Sequence, residues 1–365
     1  MYSRCANRVH SVQVSAFALL LVVVTATAYF RPFFYPDVVP YAAAVISADE
    51  HNPQLVHEAV KRELISEIGQ EKYQSLLCDP SPWWSAMMSS PQGLLEQLPF
   101  YSVKPLYVAA ARLLVRHTPL DAFHALHLVS ALCLIPIGIV LLLWTRQPLA
   151  AALLLLTPTV LFAGRAVTPD ALSTALVISG LYLLFRKRNW WGCALLIVSI
   201  YARPDNLVIC GLVFLWLVYK REMPLIHGAL LSALALVSFH MISWLSGFFG
   251  WTAIFLNSVA AVGFPAQHVF HLTLHDYAKG LFLGIRSFCS SSEIAIWIFV
   301  GILAVKRLGT GNRSVQLLSM VAASTAIRFL IFPFPQDRFF LPAYLISGIA
   351  LASTWKLNNC EPLTG

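Results

Sequence analysis

The sequence predicts an all-α polytopic membrane protein with about ten transmembrane helices and a long extracytoplasmic first loop. Apolar residues fill 58% of the 365 positions, and charged residues fill only 12%, about half the share found in soluble domains. The mean hydropathy is +0.71. Because so few polar side chains cannot cover a soluble core, the composition excludes a soluble enzyme, a disordered chain and a disulfide scaffold. We expect one transmembrane domain over residues 1–365.

The first predicted span is the apolar run Ser11–Phe30, which follows Arg4 and Arg8. Its length suffices to cross a bilayer and exceeds the roughly 7–15 apolar residues of a signal peptide. A small-residue triplet at 26–28 would be the cleavage site in that alternative. We favour an uncleaved anchor, and both alternatives place residue 31 outside the cytoplasm.

The only long polar stretch, residues 31–104, carries nine acidic and five basic side chains. Within it, apolar residues at helical spacing over 55–77 predict one amphipathic helix. Two prolines and two tryptophans in 80–84 predict a turn at the membrane interface. The stretch therefore forms the predicted first extracytoplasmic loop.

Apolar runs then follow one another closely, and the distribution of basic residues orients them. The nine further predicted spans are 121–144, 148–164, 169–185, 190–202, 205–219, 224–246, 281–305, 314–332 and 338–355. With the amino terminus inside, the inner ends collect twelve bases and two acids, and the remainder holds thirteen bases and fifteen acids. This positive-inside pattern predicts a cytoplasmic membrane protein with both termini cytoplasmic and a second extracytoplasmic loop at 247–280.

Three short connections at the predicted outer boundary each combine an arginine, an aspartate and a proline. They contain Arg165 with Asp170, Arg203 with Asp205, and Asp337 with Arg338. Asp37 follows the first span at the same predicted level. A charge close to hydrocarbon is costly and is a functional candidate by default. The alternative is that these charges neutralise one another, while Pro169 and Asp170 form an ordinary helix start.

The residue types in these connections suit a particular chemistry. The fork of donors on arginine binds phosphate oxygens, and aspartate accepts a proton from a hydroxyl. Arginine would also stabilise charge that develops on a departing phosphate. Above an apolar body, such a face suits a transferase that uses a polyprenyl-phosphate-linked sugar.

At this point the chain resembles the GT-C superfamily of integral-membrane glycosyltransferases. It is most similar to users of dolichyl- or undecaprenyl-phosphate sugars, such as protein mannosyltransferases and the lipid A aminoarabinose transferase. The order and spacing of the motifs match over nearly the whole chain. Five stretches carry the resemblance, namely Tyr35-Pro36-Asp37 with Tyr41, Lys104-Pro105-Leu106-Tyr107, Arg165 to Asp170, Arg203-Pro204, and Asp337 to Pro342.

The resemblance implies an inverting transfer from a polyprenyl-phosphate-linked sugar to a glycan, lipid or protein acceptor on the extracytoplasmic face. It implies that Asp37 is the catalytic base and that Arg203 and Arg338 bind the donor phosphate. Arg328 joins them because it lies only ten residues before Arg338. The remaining residues expected to shape the site are Tyr41, Lys104, Arg165, Asp170, Asp205 and Asp337.

The chain also departs from the pattern of this superfamily. Many members carry paired acids after the first span, whereas Val38 follows Asp37 here. The pair Asp49 and Glu50 therefore remains a second catalytic candidate. Metal binding is weakly indicated by His268, His271 and His275 beside Asp276, which would share one helix face. We expect no certain cofactor and no metal in the site.

Two other classes of function remain open. One is a non-catalytic membrane subunit of a polysaccharide or glycolipid assembly system. The other is a transporter of lipid-linked sugars, which predicts internal repeats and charges near the bilayer midplane; neither is evident in the sequence. The net charge of +8 follows the membrane topology, so no nucleic-acid partner is expected.

Overall fold

The computed structural model of the chain describes residues 2–78, 87–259 and 271–358. These residues form helices and contain no β-strand; one isolated parallel bridge joins Phe33 and Ala166. The first helices are α1 (Tyr2–Phe30), α2 (Val38–Ile46), α3 (Pro53–Ile68), α4 (Gln70–Leu77), α5 (Pro91–Leu95), α6 (Leu98–Ser102), α7 (Pro105–His117), α8 (Ala122–Leu132), α9 (Leu134–Thr145) and α10 (Pro148–Leu155). The remaining helices are α11 (Pro158–Arg165), α12 (Asp170–Phe185), α13 (Asn189–Ala202), α14 (Leu207–Tyr219), α15 (Leu225–Leu245), α16 (Trp251–Ser258), α17 (Leu274–Ser290), α18 (Ser292–Leu308), α19 (Arg313–Ile331) and α20 (Leu341–Asn358).

The described residues confirm an all-helical fold with candidate membrane spans, but fewer spans than the sequence predicts. Within the described residues, four helical segments are long and apolar enough to cross a bilayer, and two bent helix pairs raise the number to at most six. The four segments are Ser11–Phe30, Ala122–Thr145, Leu225–Leu245 and Arg313–Ile331. Helices α12, α13 and α14 are apolar but shorter. The count of about ten therefore stays a prediction.

Helix breaks account for several differences from the predicted elements. The predicted span 148–164 is two helices bent by 60°, with Pro158 opening the second, because proline lacks an amide donor. The predicted span 281–305 falls on two helices bent by 74° at Ser291, whose hydroxyl accepts from the amide of Ile294. The prediction of a single helix over 55–77 is wrong. The segment forms two helices, α3 and α4, that meet at Gly69, whose φ of 82° suits glycine.

Described helices of the predicted first loop pack against the helices that follow them. Helix α2 is buried along most of its length and packs against α3, α6, α7 and α8. This packing fixes the start of α2, and with it Asp37, against the rest of the chain. The predicted interfacial turn at 80–84 lies outside the described residues.

The antiparallel pair α12 and α13 brings the predicted arginine–aspartate connections together. A Cβ at Gly180 would lie 3.0 Å from the carbonyl oxygen of Gly192, so small residues allow a close approach of the two helices. Helix α12 begins at Asp170 where α13 ends at Ala202. Asp170 and Arg203 consequently meet at one end of the pair.

Candidate functional site

Three carboxylates of the site share one local arrangement, in which each aspartate directly follows a proline at the start of a helix. Proline ends the preceding segment and fixes its own φ, and an aspartate in a first helical turn interacts favourably with the helix dipole. The side chain of Asp37 makes no capping hydrogen bond to α2. These carboxylates are therefore available to partners from other elements. The three dipeptides are Pro36-Asp37, Pro169-Asp170 and Pro204-Asp205.

Arginines link the three carboxylates into one chain of charges. Both terminal nitrogens of Arg338 lie 3.3 Å from Oδ2 of Asp37, and Nε of Arg338 lies 3.4 Å from Oδ2 of Asp170. Arg203 contacts Asp170 on one side. On the other side it donates two hydrogen bonds to Asp205, at 3.0 and 2.9 Å. The structure thus brings together residues up to 301 positions apart in the chain.

Arg328 extends this chain of charges from a further element, α19. Its Nη1 donates to Oδ2 of Asp205 at 3.2 Å, and Arg328 has no other carboxylate partner among the described residues. Arg203 and Arg338 each contact two carboxylates. The alternation of cations and anions lowers the cost of placing so many charges at low exposure.

Lys104 is the fourth cation of the site. Its ammonium donates to the carbonyl oxygen of Phe100 and lies 5.8 and 5.2 Å from the ring centroids of Tyr41 and Tyr101. Among the described residues, no carboxylate forms a salt bridge with it. Burial lowers the pKa of Lys104 to about 8, against the opposing attraction of Asp37.

Two tyrosines and Gln336 contact Asp37 and Arg338 at one end of the charged chain. The Tyr101 hydroxyl donates to Oδ1 of Asp37 at 3.1 Å. Burial, followed by the Asp37 charge, raises the pKa of Tyr101 well above its usual range, so the phenol keeps its proton. Gln336 accepts from Nε of Arg338 at 2.7 Å. The guanidinium of Arg338 also lies 4.5 Å from the ring centroid of Tyr35.

These charges line a cleft of about 670 Å³ whose remaining lining is mainly apolar, with Ser243, Asn257 and Ser258 as further polar side chains. Helix α16 is held in place because Trp251 donates its indole N–H to the carbonyl oxygen of Ile331 at 3.0 Å. Charged and apolar side chains therefore border the same volume. The apolar walls include Phe239, Phe248, Trp251, Ile254, Ile331 and Phe332.

Asp337 lies on a second cavity, of about 410 Å³, on the other side of Arg338. Its Oδ1 accepts hydrogen bonds from Ser291 and Tyr344, both at 3.1 Å. Glu293 lines the same cavity and accepts from the Thr159 hydroxyl. Asp337 thus does not line the cleft that holds Asp37.

Three further predicted residues also lie outside the cleft. Asp49 forms ion pairs with Arg112 and Arg116, each at 2.5 Å, and their hydrogen bonds hold the pKa of Asp49 well below its usual range. Glu50 accepts from the backbone amide of Asn52 at 2.8 Å. Arg165 donates to the carbonyl oxygen of Arg31 at 2.7 Å. Asp49 and Arg165 thus tie distant chain segments together, whereas the contact of Glu50 is local.

The predicted metal candidates are not gathered into a site within the described ranges. His268 lies outside these ranges. Asp276 forms a capping box with Thr273 at the start of α17. No group of three or more histidines, cysteines or acids that could hold a metal occurs in the described part of the chain.

Several side chains of the cleft were not predicted to belong to the site. Tyr101 and Gln336 contact the central charges, and the Phe339 ring lies against three arginines. The position of Phe339 next to Arg338 in the sequence could have indicated that its ring belongs to the site. No local pattern distinguishes Tyr101 from other tyrosines of the same segment.

Comparison with known proteins gives no independent assignment. No protein-family model matches the chain, and no match was found among curated proteins or among solved structures.

Proposed function

We propose that the chain is a GT-C-like glycosyltransferase that moves a sugar from a polyprenyl-phosphate donor to a glycan, lipid or protein acceptor. The observation that carries this proposal is the cleft that charged and apolar side chains line together. We place the protein in the cytoplasmic membrane, with both termini cytoplasmic and the cleft on the extracytoplasmic side. This orientation rests on the distribution of basic residues along the sequence.

The charge balance of the cleft supports a donor with one negative charge. Three aspartates stand against three arginines and Lys104, which leaves one positive charge when the lysine is protonated. A sugar linked to a lipid through one phosphate is a phosphodiester and carries one negative charge. Lys104 and Arg328 have the fewest carboxylate contacts, so they are the best placed to bind phosphate oxygens.

The apolar walls support a lipid carrier for that phosphate. Phe239 and Phe248 line the cleft together with Arg203 and Lys104. An isoprenoid chain would bury its methyl-rich surface against such side chains at about 25 cal/mol per Å². A water-soluble phosphate compound would leave these walls without a partner.

In the proposed reaction, Asp37 takes the proton from the acceptor hydroxyl. The acceptor oxygen then attacks the anomeric carbon of the sugar from the side opposite the phosphate. The bond between that carbon and the phosphate oxygen breaks, its electron pair stays on the oxygen, and the lipid phosphate leaves. Configuration at the anomeric carbon inverts, and the cationic side chains stabilise the charge of the departing phosphate.

A transfer assay with the full-length protein in membranes tests this proposal. Wild type is compared with Asp37→Asn on a panel of labelled polyprenyl-phosphate sugars and acceptors. We expect Asp37→Asn to lower kcat about 10²–10⁴-fold, the usual contribution of a general base. Arg203→Ala should weaken donor use, and the matched control Asp49→Asn should transfer like wild type.

Each other outcome points to a different conclusion. Loss of transfer in Asp49→Asn, with full transfer in Asp37→Asn, would assign the catalytic base to the pair Asp49 and Glu50. No transfer by wild type over the whole panel would overturn the enzymatic proposal in favour of a non-catalytic assembly subunit.

A further inference from the structure

Phe339 lies where three arginines from three different elements meet. Its ring centroid is 4.4 Å from the guanidinium carbon of Arg203, 5.0 Å from that of Arg328 and 5.1 Å from that of Arg338. Arg203 follows α13 and Arg328 lies on α19, whereas Arg338 and Phe339 share the 3-10 turn Asp337–Phe340. No other described aromatic ring lies against more than one of these arginines.

Carboxylates join the three guanidiniums only in series, through Arg203. Asp170 lies between Arg203 and Arg338, and Asp205 lies between Arg203 and Arg328. Among the described residues, no carboxylate bridges Arg328 and Arg338. Both guanidiniums lie about 5 Å from the same ring, and two like charges repel each other. The negative face of an aromatic ring attracts a cation within about 6 Å of its centroid. Phe339 supplies that attraction to all three cations at once.

We infer that Phe339 is a positioning residue that holds Arg203, Arg328 and Arg338 together as one binding unit for a lipid-linked phosphate. This inference rests on the proposed function for the identity of the ligand. Phe339 itself does not contact phosphate in this assignment. It sets the spacing of the guanidiniums, which then bind the phosphate oxygens through their free N–H groups.

The packing of Phe339 separates this role from that of an ordinary core residue. Phe339 is partly exposed, whereas its neighbour Phe340 is only 5% exposed. Phe339 lines the cleft next to the arginines. A leucine would fill much of the same space, but it would remove the ring quadrupole.

The test measures binding of farnesyl phosphate and of uncharged farnesol to the purified full-length protein. We expect Phe339→Leu to raise the Kd for farnesyl phosphate about tenfold, since three weakened cation–π contacts together amount to about 1.4 kcal/mol. Phe339→Tyr keeps an aromatic face and should stay within about twofold of wild type. Affinity for farnesol should not change in either variant. The matched control is Phe248→Leu, which removes a ring of the same cleft that contacts no arginine among the described residues. It should change the affinities for farnesyl phosphate and for farnesol by the same factor.

The outcomes separate this inference from the proposed function. Equal farnesyl phosphate affinity in wild type and Phe339→Leu, with a loss in Arg203→Ala, would overturn the positioning role and leave the phosphate site standing. Parallel losses for farnesyl phosphate and farnesol in Phe339→Leu would also overturn it, because they indicate a collapsed cleft. No binding of farnesyl phosphate by wild type would overturn the phosphate site and this inference together.

Discussion

Two ionic clusters lie at opposite ends of α13, and they use arginine differently. At the end of the helix, Arg203 lies between two carboxylates in the cleft. At the other end, beside Asn189, Glu222 pairs with Arg313. Arg313 also donates to the carbonyl oxygen of Leu184 at 3.0 and 2.8 Å. A 14-residue helix separates the two clusters by about 21 Å.

The difference lies in charge balance and in access. Glu222 and Arg313 balance each other's charge one to one. The other donors of Arg313 bind a backbone carbonyl oxygen in the last turn of α12, and its guanidinium lies 5.0 Å from the centroid of the Trp216 ring. Neither cavity described above is lined by this pair. The cleft has one more cation than carboxylates beside a large cavity. Excess charge next to a cavity, and not the mere presence of ion pairs, therefore marks the functional candidate.

The largest expected difference comes from removing the arginine at each end of α13. Arg203→Ala should raise the Kd for farnesyl phosphate about 10–100-fold, since hydrogen bonds to charged groups contribute about 1.5–3 kcal/mol. Arg313→Ala should leave that Kd unchanged but lower the free energy of unfolding by roughly 2 kcal/mol, because Glu222 loses its partner in a partly screened position. Binding and thermal unfolding measured on both proteins check this contrast. Weaker phosphate binding in Arg313→Ala would remove the distinction between the two clusters.

The sequence predicted the central charges of the cleft because their local patterns carry the information. Asp170, Asp205 and Arg338 lie in short predicted connections that each contain a proline, and Asp37 follows the first predicted span. The positive-inside pattern placed these positions at one level of the membrane. The structure brings the same residues together, although the side of the membrane stays a prediction.

Other parts of the site could not be predicted, because they depend on packing between distant segments. Asp49 looked like an alternative base from its position beside Glu50, yet Arg112 and Arg116 reach it from α7. Tyr101 contacts Asp37 only because α2 packs against α6. The bend at Ser291 likewise divides an apolar run that length alone assigns to one span.

A medium effect should arise from pH, because burial lowers the pKa of Lys104, a cation of the cleft, to about 8. Protonated Lys104 attracts phosphate, so affinity should be full below about pH 8, where its pKa lies, and fall as the pH rises through that value. The second pKa of a phosphate ester is about 6, so farnesyl phosphate keeps its charge over this range. We expect the Kd to rise about tenfold between pH 7 and 9.5, by the loss of one charged contact.

A matched pair of variants identifies Lys104 as the source of this pH dependence. Lys104→Arg should bind equally at both pH values, since arginine stays charged. Lys104→Gln should bind at pH 7 as weakly as wild type does at pH 9.5. A pH dependence that persists in Lys104→Arg would assign the titration to another group. In the empty protein the sign is opposite: the lowered pKa means that Lys104 contributes stability above its usual pKa that is lost as the pH falls through about 8.

The smallest effect should come from Glu63, a carboxylate remote from both clusters. It accepts from the amides of Ala122 and Phe123 at 3.1 and 3.4 Å, while burial and then Asp121 raise its pKa to about 7. A raised pKa favours the protonated form in the fold, so this group contributes stability below its usual pKa that is lost as the pH rises through about 7. At pH 8, Glu63→Gln should therefore unfold at a higher temperature than wild type. The corresponding gain in the free energy of unfolding should be less than about 1 kcal/mol after solvent screening. If the unfolding temperature of the variant followed the same pH trend as that of wild type, Glu63 would not be the cause of the stability loss above pH 7. Unchanged affinity of the variant for farnesyl phosphate would show that α3 is energetically separate from the cleft.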